Sequence, residues 1–142
     1  MIGVVVAAHG DLAKALVDAA LLVVTKNSSI NAVGITMADD STSYEAKLRE
    51  AISEVEKGQG VLILTDMFGG TPSNIGLTLH ELGRVEVLTG ANLPMVIRAL
   101  QLAGKEVELR VAAREVKDYG ERAIAVASEV LSGPANGQEK MA

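Results

Sequence analysis

Met1-Ile-Gly-Val-Val-Val-Ala-Ala-His9-Gly10 is an apolar run that stops at a histidine and a glycine, and Val61-Leu-Ile-Leu-Thr-Asp66 repeats the pattern with an aspartate at its end. Strands buried on both faces of a parallel sheet read as continuous apolar runs of this kind. The polar residue that ends such a strand stands at the carboxyl edge of the sheet, where open α/β sheets bind their ligands. His9 and Asp66, distant in sequence, are therefore expected to share one site.

Working outward from these runs, the chain alternates apolar strands with helical periodicity. Asp11 to Leu22 places Leu12, Ala15, Leu16, Ala19 and Leu22 on one stripe and predicts the first crossover helix. Ile30 to Thr36 reads as a second strand. Ser41 to Lys57 reads as an amphipathic helix with Tyr44, Leu48, Ile52 and Val55 inward and Gly58 at its stop. Val61 to Thr65 is the third strand. Phe68-Gly-Gly-Thr-Pro-Ser-Asn74 then forms a glycine-rich turn into a helix, with Pro72 suited to the first turn and Thr71 a candidate cap. Val85 to Thr89 reads as strand four, followed by a short helix to Leu102 and a last helix over Glu106 to Tyr119. This βαβα order predicts an α/β fold with an open, mainly parallel sheet and helices on both faces.

After Gly120, Ile124, Val126, Ser128 and Val130 alternate with Ala123, Ala125, Ala127 and Glu129. The alternation reads as a C-terminal strand, although the alanines also suit a helix. Such a strand would pair antiparallel at a sheet edge, and an exposed apolar edge needs covering, which a second subunit can supply. Residues 1–131 are expected to form one domain. Ser132 to Ala142 holds too few apolar groups to offset the entropy of ordering and is expected to be a disordered tail.

Composition narrows the function. The 142 residues include no cysteine, which removes disulfides, thiol chemistry and thiolate zinc sites. A net charge of −5, with no basic cluster and only Tyr44, Tyr119 and Phe68 to stack bases, argues against nucleic acid. No apolar run approaches the roughly 18 residues of a membrane span, and the start lacks the basic segment of a signal peptide, so a cytoplasmic protein is expected. His9 and His80 have no metal-ligand spacing, and His80 reads as a surface residue within a helix. The phosphate-loop lysine motif and the GxGxxG fingerprint are both absent, so no nucleotide cofactor is expected.

His9 carries the chemistry. Imidazole is largely neutral and nucleophilic near pH 7, so it accepts a phosphoryl group or a proton without large tuning. A carboxylate on one ring nitrogen fixes the tautomer, leaves the other lone pair free and stabilises the charge that develops; Asp66 is placed for that role. Gly10 leaves room beside the ring. Phe68, Gly69, Gly70, Thr71 and Ser73 lie where loop amides and a helix start favour an anion, although a hydroxyl at a helix start is often only a cap. Asn92 and Met95 follow strand four on the same edge and are candidates for a rim or partner surface, with turn chemistry an equal explanation of Asn92.

Taken together, Ala8-His9-Gly10, Asp66 with Phe68-Gly69-Gly70-Thr71-Pro72-Ser73-Asn74, and Thr89-Gly90-Ala91-Asn92-Leu93-Pro94-Met95 resemble the mannose-type enzyme IIA of the bacterial phosphoenolpyruvate-dependent sugar phosphotransferase system. The resemblance runs from the first strand to about the end of the proposed C-terminal strand. It implies that His9 accepts a phosphoryl group from the phosphocarrier HPr and passes it to an enzyme IIB on a separate chain, with Asp66 on the other ring nitrogen. It also implies a homodimer exchanging a C-terminal strand, membrane association only through the permease complex, and no metal. The donor subunit of dihydroxyacetone kinase systems and a regulatory phosphorylation sensor are the alternatives.

Overall fold

The computed structural model describes residues 1–24, 29–81 and 83–133. Four strands, β1 (Gly3–His9), β2 (Ile30–Ile35), β3 (Val61–Thr65) and β4 (Val85–Leu88), alternate with α1 (Leu12–Val23), α2 (Ser41–Val55), α3 (Thr71–Thr78) and α4 (Leu93–Ala103). Two further helices, α5 (Leu109–Arg122) and α6 (Ala127–Ser132), complete the described chain. The strands lie in the order β2-β1-β3-β4, and every pairing between neighbours is parallel.

That order has a direct consequence for the site. The chain leaves β1 toward β2 in one direction, then crosses back over β1 to β3 and continues to β4 in the other. Right-handed crossovers in opposite directions put their helices on opposite faces. One core accordingly packs Val4, Val6, Ala8, Leu62 and Leu64 against α1, α4 and α5. The other packs Val5, Ala7, Val61 and Ile63 against Tyr44, Leu48 and Val55 of α2 and Ile75 of α3. The loops after β1 and β3 thus depart to opposite faces and leave a crevice between them, the switch point of the sheet.

The continuous apolar runs are explained by this burial: Ile2 to Ala8 and Val61 to Thr65 are all buried. The edge strands β2 and β4 are mostly half-buried. Helix α2 starts where its chemistry dictates. Asp40 accepts from the Ser43 N–H at 2.7 Å and Ser43 Oγ accepts from the Asp40 N–H at 3.0 Å, a reciprocal capping box.

Two expectations are corrected. The buried stripe of α1 is Ala13, Val17 and Ala20, while Leu12 and Leu22 are 45% and 84% exposed. Two adjacent stripes of this helix are apolar, and the one with small residues lets it lie close against the sheet. The segment after Gly120 is not a strand: Ala127–Ser132 is helix, and no residue of α6 is buried. A strand needs a neighbour to take its backbone hydrogen bonds, whereas a helix satisfies its own, and alanine, leucine and glutamate favour that choice. The tail expected over 132–142 lies outside the described residues from 134 onward. Among the described residues, no helix is long and apolar enough to cross a membrane.

Candidate functional site

His9 ends β1 and Asp66 follows the last residue of β3, and because Ala7 is in register with Thr65 the two side chains meet across adjacent strands. Asp66 Oδ2 accepts from the His9 backbone N–H at 2.9 Å and lies 2.8 Å from His9 Nδ1. Its other oxygen accepts from the Met67 N–H at 3.0 Å. Burial works against the charge on Asp66, but the backbone and side-chain hydrogen bonds from His9 outweigh it and hold the carboxyl below its ordinary value. An ionised carboxylate only accepts, so Nδ1 carries the hydrogen and Nε2 the lone pair. The aspartate side chain is 11% exposed and the histidine 49%, so a sheltered carboxylate supports an open imidazole.

The loop over the histidine is built from two glycines with different reasons to be glycine. Gly69 has φ +88°, the left-handed region that L side chains rarely adopt, with nothing near its missing side chain. Gly70 has φ −82° and ψ 169°, which any residue adopts, but a Cβ there would lie 2.9 Å from His9 Cε1. Gly70 is the N-cap of α3. The Ser73 hydroxyl is buried, accepting from the Gly69 N–H at 2.9 Å and donating to the Gly70 carbonyl at 3.1 Å. It braces the turn. Thr71, expected as a cap, is instead the first residue of α3 and half-buried. Gly10, with φ +58°, turns the chain after His9, and its N–H donates to the Ile35 carbonyl at 2.8 Å.

The rim contributed by the loop after β4 is close, yet its two candidates are otherwise engaged. The Ala91 N–H donates to the Thr65 carbonyl at 2.8 Å, which ties that loop beside Asp66. Asn92 caps α4: its Oδ1 accepts from the Met95 N–H at 3.0 Å, and its Nδ2 donates to the Gly120 carbonyl at 3.4 Å. Met95 is only 5% exposed and packs in the core, where a Cβ at Gly120 would collide with its side chain. His80 lies just past the end of α3, 3.6 Å from Glu86 and away from the strand ends that carry the site.

Of the residues at this edge, sequence patterning singled out Phe68 for the site but not Tyr44, Leu12, Met37 or Met67. Tyr44 is fully buried and its phenol sits near Asp66; burial, with the charges of Asp66 and Asp39 adding to it, pushes that phenol far above its ordinary value and keeps it protonated. Leu12, Met37, Met67 and Phe68 are exposed by 45%, 106%, 53% and 73%, and all lie on loops or the first helical turn at the carboxyl edge. Large exposed apolar side chains gathered at one edge mark a surface for a macromolecule. The signal was present in Phe68, the sole phenylalanine, standing among glycines. Among the described residues, no group of three or more His, Asp and Glu side chains is arranged to hold a metal ion.

The class is thus a doubly wound α/β domain with a carboxylate-supported histidine at the switch point of its sheet. Comparison with known proteins narrows it: the chain belongs to the mannose-type family described as PTS system fructose IIA component, which matches residues 3–117. It is 27% identical over 132 residues, 92% of this chain and 90% of the relative, to the PTS system fructose-specific EIIA component of Bacillus subtilis. A solved phosphotransferase system component EIIA from Streptococcus agalactiae shares the fold with a TM-score of 0.80 at 21% identity, covering 90% of this chain and 98% of that one. The PTS IIA protein associated with the fucose utilization operon of Streptococcus pneumoniae gives a TM-score of 0.78 at 22% identity, covering 92% and 96%. The family is one of phosphotransferase components and carries a phosphocarrier role in sugar transport.

Proposed function

We propose that His9 is the residue that carries the phosphoryl group, receiving it on Nε2 from the phosphohistidine of HPr and passing it to an enzyme IIB. The observation that supports this reading is the 2.8 Å contact of Nδ1 with Asp66 Oδ2, which leaves the Nε2 lone pair as the available nucleophile. In the forward step the bond from Nε2 to phosphorus forms as the donor's nitrogen–phosphorus bond breaks. The Nδ1 proton stays on the ring, where Asp66 offsets the positive charge. Phosphoryl transfer of this kind asks the protein mainly for alignment and for charge placed around the equatorial oxygens. In this reading the backbone amides of Gly70 and Thr71, at the start of α3, serve the second task.

Both transfers are between proteins, and the exposed Leu12, Met37, Met67 and Phe68 supply an apolar rim for docking. In this reading the chain is brought to the membrane by the permease that its IIB partner serves. Homodimer formation is part of the same proposal. It is supported by the exposed Ile124, Val126 and Leu131 and by β4, which among the described strands pairs only with β3.

The test is incubation with phosphoenolpyruvate, enzyme I and HPr, followed by intact mass and acid treatment. Acid-labile phosphate on the wild type and none on His9→Ala is the expected result. Equal labelling of both proteins would move the phosphoryl group off His9.

A further inference from the structure

We infer that Gly70 is a positioning residue for the proposed phosphoryl transfer: its missing side chain is the clearance in which the His9 ring sits, and any larger residue there displaces the ring from Asp66. The inference rests on the reading of His9 as the phosphoryl carrier, but its geometry stands apart from it.

The ring is bounded on two sides. On one, Nδ1 lies 2.8 Å from Asp66 Oδ2. On the other, a Cβ at position 70 would lie 2.9 Å from Cε1 and 3.5 Å from Nε2, and 3.3 Å from Met67 Cγ. The first of these distances is shorter than real Cβ atoms tolerate, so something has to move. Met67 is a flexible side chain and can give way. The imidazole cannot retreat from Gly70 while keeping its bond to the aspartate. Nor can the turn lift off easily, because Ser73 Oγ holds the Gly69 N–H at 2.9 Å and the Gly70 carbonyl at 3.1 Å. Backbone conformation does not demand glycine here, since φ is −82° and ψ 169°. Capping does not demand it either, because serine, asparagine or aspartate is as good or better at an N-cap. What remains is space at the edge of the ring that carries Nε2.

The experiment pairs a structural readout with a kinetic one. Nitrogen-15 spectra of the unphosphorylated protein report which ring nitrogen of His9 carries the hydrogen, and single-turnover transfer from phospho-HPr reports the rate. Gly70→Ala and Gly70→Ser are compared with Gly104→Ala, a substitution at a remote helix end where nothing lies within 4 Å of the added carbon. We expect both variants at 70 to lose the pure Nδ1–H signature. Transfer should slow on the order of a hundredfold, as a misplacement near 1 Å does in other enzymes. Gly104→Ala should match the wild type in both. Serine adds a capping oxygen but still fills the space, so it separates clearance from helix stability. An unchanged tautomer in folded Gly70→Ala, or recovery of rate in Gly70→Ser, overturns the inference. If the wild type itself accepts no phosphoryl group, the carrier reading fails, and the tautomer alone still decides whether Gly70 positions the ring.

Discussion

Two aspartates at the carboxyl edge of the sheet, Asp66 after β3 and Asp39 in the loop after β2, are held in much the same way and put to different use. Asp66 accepts from the His9 N–H, His9 Nδ1 and the Met67 N–H. Asp39 takes Lys47 Nζ at 2.7 Å, the Thr36 N–H at 3.0 Å and hydroxyls of Thr36 and Ser43 at 3.2 and 3.1 Å. Both carboxyls are pulled below their ordinary value, Asp39 chiefly by the Lys47 ammonium. The difference lies in the partner. Lysine, hydroxyl and amide donors spend what they have on Asp39 and close the loop. Imidazole, by donating from one nitrogen, keeps a lone pair on the other, so the same electrostatics leave an available lone pair beside Asp66 and a fastened loop at Asp39.

The strongest way to sharpen the contrast is His9→Ala, which should reduce phosphorylation to background while the melting temperature changes little, because the ring is half-exposed. A large loss of stability would mean the pair is structural. Next in size is Asp66→Ala, expected to slow transfer on the order of a hundredfold by releasing the tautomer. It should also lower the melting temperature, since the His9 and Met67 amides lose their acceptor. Asp39→Ala should lower the melting temperature yet leave the transfer rate near that of the wild type. Slowing as severe as that of Asp66→Ala would erase the distinction between the two carboxylates. The smallest effect is the acid limb of stability. A carboxyl depressed in the folded state adds stability that is complete above its ordinary value of 3.8 and is lost as the pH falls through the folded value. Denaturant titrations should therefore show the gap between wild type and Asp39→Asn closing below that pH; a constant gap would remove charge from the account of the loop.

Much of this architecture was legible in the sequence because β1 and β3 are buried on both faces, which leaves an unbroken apolar run with a polar stop. The meeting of His9 with Asp66 followed from the same logic: the residue after the run is at the strand end, and two such ends were His9 and Asp66. Where reading failed, two physical solutions shared one pattern. On α1 both neighbouring stripes are apolar, and only the close approach to β1 and β2 selects Ala13, Val17 and Ala20. Beyond Gly120 every residue to Glu129 is exposed, so no burial existed to choose between a period of two and a helical one. Met95 was misplaced because a residue after a strand end is near the site in sequence terms, whereas the turn capped by Asn92 directs it into the core. The contact of Gly70 with the imidazole left no trace in any periodicity, since it is a missing atom at a helix cap beside a residue at a distant strand end.

His9 and Asp66 are 57 positions apart, and the only route between them is the docking of β3 against β1. A chain growing from its amino terminus therefore emerges with the imidazole first and acquires the carboxylate later, after the crossover through α2 has closed. Until that closure no carboxylate fixes the tautomer of the ring. On the proposed function, competence for group transfer switches on with the completion of the central strand pair, so an amino-terminal fragment would carry the proposed phosphoryl acceptor without its supporting carboxylate.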